Sequence, residues 1–155
     1  MQNESESNNF SKLDLTDHQH ETLSTYISFL CDDLLIPPSL IQLSSKLISE
    51  PRILARMVTA PDRAVGIMHI GKALLDSDDI ATIKVTLIHE LLHFKFKDIA
   101  SCAERIIDEQ MKPSQPVGKV LKGSLISEEE KLVDELAHAF YRLVDDQLDI
   151  MLASL

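Results

Sequence analysis

Apolar residues recur along this chain at two periods, and the change between them divides it. Leu23, Tyr26, Ile27, Leu30 and Leu34 stand three or four apart. That is the spacing of one helical face, and it predicts a helix over residues 17–35 that Ile36, Pro37 and Pro38 stop. A second helix is expected over residues 39–48, closed by Glu50 and Pro51. Residues 53–58 and 64–70 change character: they are short, partly β-branched runs separated by a segment containing Pro61 and Asp62. They predict two strands of a small sheet. The helical period returns in Ile80, Ile83, Leu87, Leu91 and Phe94, a core-facing stripe on a helix that starts at residue 79 with Ser77 or Asp78 as its cap. Residues 98–111 continue in helical style, with Ile106 and Ile107 as apolar contacts.

Residues 112–126 contain Pro113, Pro116, Gly118 and Gly123. They read as a long loop, either a flap or a linker. Ser127 followed by Glu130 forms an S-x-x-E capping box, opening a final helix to about residue 151. Residues 1–15 are polar, acidic and rich in Ser and Asn, the composition of a disordered tail. The expected organisation is therefore one α+β domain over residues 16–155, mainly helical, with a small sheet packed on the helix that begins at residue 79.

That helix carries the chemistry. Thr82, Thr86, His89 and His93 form a strip separate from the apolar stripe, and residues 89–93 read His-Glu-Leu-Leu-His. Side chains at i and i+4 stack on one helical face, so both imidazoles can reach one ion at about 2.0–2.1 Å per Zn–N bond. Glu90 then projects beside the metal, placed to take a proton from a zinc-bound water, whose pKa the ion lowers to about 7. A catalytic zinc usually has three protein ligands. Glu130, Glu129, Asp134 and His138, all on the final helix, are the available third donors.

An HExxH pentad followed by a helix bearing Glu130, Val133, Asp134, Leu136 and Ala137 resembles the gluzincin metallopeptidases of the ImmA/IrrE and minigluzincin types. The resemblance spans residues 79–140. It departs from the common pattern in Val133, which stands where Ala is usual, and in having no Gly before His93. It implies a compact zincin-like fold, Glu130 as third zinc ligand, and Asp134 as a carboxylate orienting a ligand histidine. The implied activity is zinc-dependent hydrolysis of a peptide or protein substrate through a metal-bound water activated by Glu90. In such enzymes an edge strand beside the motif helix pairs with substrate. Residues 64–70 are the candidate, with Ala64, Gly66 and Met68 as substrate-binding positions. A Tyr, His or Arg should stabilise the oxyanion, and Tyr141, Arg142 and His138 are at hand. Two other outcomes fit the same residues: a catalytically silent binding or regulatory module on this scaffold, or a latent peptidase blocked by its own tail or by the 112–126 loop.

Composition trims the alternatives. With 155 residues, 45% of them hydrophobic, the chain can bury a core without disulfides. A net charge of −10 argues against nucleic acid and anionic membranes as partners. Cys31 and Cys102 make no disulfide framework and no zinc pattern, and are expected as reduced thiols near or in the core. The N-terminus has neither the basic start nor the apolar run of a signal peptide. No run approaches the length of a membrane span, so the expected location is the cytoplasm. His18, His20 and His69 read as solvated or packing residues.

Overall fold

In the computed structural model, residues 14–59, 64–111, 116–144 and 146–155 are described; most of the expected N-terminal tail lies outside them. Asp14 bridges to Lys46 and the buried Leu15 donates its N–H to the Ser45 carbonyl, so the last two tail positions are held against the domain. Helix α1 spans Asp17–Asp33. Thr16 caps it: its hydroxyl accepts from the Gln19 N–H at 3.2 Å while the Gln19 side chain accepts from the Thr16 N–H at 3.1 Å, a reciprocal satisfaction of free donors. The chain leaves α1 through Leu35 at φ 55°, a left-handed residue ahead of the two prolines.

The helix expected over residues 39–48 does not form. One 3-10 turn at Pro38–Leu40 leads into β1, Ile41–Leu43. Its apolar residues have a better partner than a helix could supply, a parallel ladder with the strand at 66–70. The two expected strands form as β2, Ala55–Thr59, and β3, Gly66–Ile70, and they pair antiparallel. The sheet order is β1-β3-β2, so β3 is central. Gly71, just past β3, must be glycine: a Cβ there would lie 1.9 Å from the Ile53 carbonyl oxygen.

After a short helix α2, Lys72–Leu75, comes α3, a single 31-residue helix at Ile80–Gln110. Its cap is Asp79, which accepts from Ala81 N–H and the Thr82 hydroxyl, not Ser77 or Asp78. The helix expected to start at residue 79 and the helical stretch expected at 98–111 are thus one, because no Pro or Gly separates them. Helix α4 runs Pro116–Tyr141, which corrects the expected loop over residues 116–126; residues 112–115 of it lie outside the described residues. Pro suits a first helical turn, where its missing N–H costs nothing. Gly118 lets the start of α4 approach Met111: a Cβ there would lie 3.3 Å from the Met111 Cβ. Ser127 and Glu130 therefore sit inside α4 and cap nothing. The expected final helix stops at Tyr141; a 3-10 turn at Asp146–Leu148 and helix α5, Asp149–Leu152, follow.

The core lies between α1, the sheet and the first half of α3. Ile83, Leu87, Leu91 and Phe94 are buried there, as their spacing predicted, while Ile80 of the same stripe is only partly buried. The sheet packs on α3 through β2 and the Phe94 ring; a Cβ on Gly66 would meet that ring at 2.6 Å. Cys31 is buried and Cys102 exposed, both free. Burial pushes the Cys31 thiol up to about 11. Among the described residues no helix is long and apolar enough to cross a membrane.

Candidate metal centre

The facing sides of α3 and α4 bring together the residues on which the sequence reading turned. His89 and His93, one turn apart, present their Nε2 atoms to each other at 2.9 Å. Glu130 reaches in from α4, with carboxylate oxygens 3.7 Å from His89 Nε2 and 3.4 Å from His93 Nε2. Three ligands about 2.05 Å from one ion at tetrahedral angles would stand roughly 3.3 Å apart. The triangle here brackets that spacing, and its three donor atoms lie within 4.8 Å of one another. Two imidazoles and one carboxylate form a donor set suited to a borderline divalent ion.

The outer nitrogens are occupied too. His89 Nδ1 meets the Asp134 carboxylate at 2.9 Å, and His93 Nδ1 meets Glu129 at 3.5 Å. A proton on Nδ1 shared with a carboxylate leaves the Nε2 lone pair free and fixes the ring. Asp134 therefore sits where an orienting carboxylate belongs. Glu129, the rival third donor, stands behind His93 at an ion-pair distance and away from the common centre. The capping-box explanation for Glu130 falls, because the residue is mid-helix. His138 lies further along α4, in a smaller hollow of about 290 Å³ with Asp79, Thr82 and Tyr141.

Glu90 stands beside the two histidines in the same cleft, on the flank of α3 that faces β2. Its carboxylate accepts the Met57 N–H at 2.6 Å. Burial holds its carboxyl above the ordinary glutamate range and outweighs the opposing effects of the Met57 N–H and the two histidines, while Glu130 adds to the rise. No sequence pattern announces this bond, since it depends on which strand passes over the helix.

A cleft of about 740 Å³ opens around these groups. Its walls are β2 with the residues before it, including Arg52 and Arg56; the α3 face from Val85 to Glu104; and Glu129, Glu130 and Asp134 of α4. The expectation for residues 64–70 is overturned here. As the central strand, β3 has both edges paired: Met68 is opposite Leu43 on one side and Met57 on the other, and it is fully buried. Gly66 serves the close approach to Phe94, and Ala64 precedes the strand. The edge facing the cleft belongs to β2. None of the oxyanion candidates Tyr141, Arg142 and His138 lines the cleft.

A second polar cluster on α3 escaped the sequence reading. Lys84 is fully buried, and its ammonium donates to the Val144 carbonyl at 3.2 Å and to Asp146 and Asp149 at 3.2 and 3.4 Å. The Tyr26 hydroxyl donates to the same Asp149 at 3.3 Å, and burial together with that carboxylate raises the Tyr26 phenol. A lysine one turn from both Ile80 and Ile88 on a core-facing helix was the available signal.

No family model matches the chain, and no curated protein or solved structure matches it either.

Proposed function

We propose that the chain is a zinc-dependent metallopeptidase of gluzincin type, with His89, His93 and Glu130 as ligands. The observation that carries this is the convergence of two Nε2 atoms and one carboxylate on a common centre, each imidazole backed by its own carboxylate, with Glu90 held beside them. Zinc bound there would acidify a coordinated water and polarise a scissile carbonyl.

The remaining steps belong to the protein. Glu90, fixed by the Met57 N–H, accepts the proton of the attacking water and hands it to the leaving amine. Asp134 and Glu129 keep the ligand rings in place. The cleft-facing edge of β2 offers an extended peptide a strand to pair with, and so positions its carbonyl over the centre.

The test has two stages. Elemental analysis of purified protein should give close to one zinc per chain, lost in His93→Ala; no zinc after incubation with excess metal at neutral pH would end the metal reading. With zinc-loaded protein and an unstructured protein as substrate, Glu90→Gln should retain the metal and cut cleavage by at least about a hundredfold. Equal cleavage by the variant would remove the peptidase assignment. Zinc binding with no cleavage by either protein would favour the silent binding module.

A further inference from the structure

Helices α3 and α4 extend beyond the domain as a two-helix arm. α3 has no buried residue after Phe94, and α4 has none between Gly118 and Val133. The Asp108–Lys122 ion pair at 2.7 Å ties the two helices along one flank. Asp108 shares its helical face with Glu104, Ser101 and Lys97, which line the cleft, so this is the cleft flank.

The other flank is apolar. Ile99 and Ile106 stand seven apart on α3, each two residues, about half a turn, from a cleft-lining position. They are 68% and 54% exposed. Val117, Leu121 and Leu132 form one stripe of α4 on the side away from Glu130, and are 56%, 40% and 49% exposed. On α3 this face continues the stripe of Ile88 and Leu92, which is buried within the domain. Lys95, whose ammonium donates to the Leu34 carbonyl at the end of α1, marks where that cover stops.

We infer that this back face of the arm is a self-association surface, on which two copies of the chain pair their helical hairpins into a four-helix bundle about a twofold axis. Charge selects a second copy. By sequence, residues 95–132 carry seven basic and seven acidic side chains and are neutral, whereas the whole chain carries −10. Here two copies meet without bringing like net charges together, and the −10 opposes an anionic membrane as occupant. The patch offers on the order of 500 Å² of apolar surface, large for a monomer. Doubled across an isologous contact it reaches about 1,000 Å², the size at which specific interfaces begin. The hairpin geometry is that of half an antiparallel four-helix bundle, and pairing by this face leaves both clefts open.

Sedimentation equilibrium on the full chain across a wide concentration range tests the surface without reference to the metal. The expected result is a dimer whose dissociation constant rises about tenfold or more in Ile106→Glu and in Leu121→Glu, with thermal melts showing both variants folded. Ile126→Glu, an equal change on the side of α4 away from the stripe, should leave the dimer intact. A wild-type chain that is monomeric at every concentration overturns the inference. So does a dimer that survives both stripe substitutions, or a monomer that floats with phosphatidylserine vesicles.

Discussion

His89 and Lys84 lie five residues apart on α3, and each sits in a polar cluster that no core of apolar side chains would tolerate unaided. The clusters are built in opposite ways. Around Lys84 the ammonium is enclosed, and its donors are met by Asp146, Asp149 and the Val144 carbonyl. Around His89 and His93 the outer nitrogens are met by carboxylates while the inner ones face a common centre within reach of solvent. The first cluster is complete as it stands and ties the C-terminal turn to α1 and α3. The second turns two Nε2 atoms and the Glu130 carboxylate toward one centre, the arrangement on which the metal proposal rests. A buried charge with its partners supplied by the chain is structural, whereas donors that converge on a solvent-reachable centre are free to serve a ligand.

The contrast can be tested by perturbing each cluster. The largest effect should come from metal. At zinc in about a thousandfold excess over Kd, linkage stabilises the fold by about 4 kcal/mol, so the melting temperature should rise on zinc addition and fall back with chelator. His93→Ala should abolish that rise and, in chelator, melt within about 1 kcal/mol of the wild type. A large loss of stability in chelator would mean the histidines are structural after all.

Next in size is the Lys84 cluster. Asp149→Ala leaves the buried ammonium with a single exposed carboxylate and the Tyr26 hydroxyl without its acceptor. Denaturant titration should show a loss of about 3 kcal/mol, unchanged by zinc. A loss that zinc reverses would erase the distinction between the clusters.

Smaller again, Asp134→Ala should weaken zinc binding about 10- to 100-fold in competition titrations while the metal-free melt stays close to wild type. The smallest effect concerns Glu90 and has a definite sign. Its folded-state pKa lies above the ordinary glutamate value. Its contribution to stability is therefore favourable below the unfolded pKa and is lost as pH rises through the folded one. At neutral pH the buried carboxylate is a cost, so Glu90→Gln should raise the melting temperature of metal-free protein. The gain should shrink as the pH is lowered into the acid range. A lower melting temperature at pH 7 would show that the Met57 bond outweighs the burial.

Much of this was legible before the fold. The stripe Ile83, Leu87, Leu91 and Phe94 is a property of spacing on one helix, and so is the pairing of His89 with His93, because helical geometry fixes which residues within four of each other share a face. The elements misread were those whose state is set from outside. Residues 41–43 became a strand because β3 lay open to pair with them. Residues 116–126 stayed helical despite two glycines because the start of α4 packs against the end of α3 at Met111 and Gly118.

The sequence by itself thus determined a pair of histidines spaced for one centre, a carboxylate beside them, and a helix to hold them. Tertiary structure alone decided that Glu130 comes to the centre while Glu129 and Asp134 stand behind the histidines, since that depends on the rotation of α4 against α3. It also decided that β2 and not β3 presents its edge to the cleft, and that Lys84 finds its counter-charges sixty residues further along the chain. The reason is the range of the interactions: spacing within a helix is fixed by local backbone geometry, whereas contacts between elements exist only once burial of the shared core has set their register.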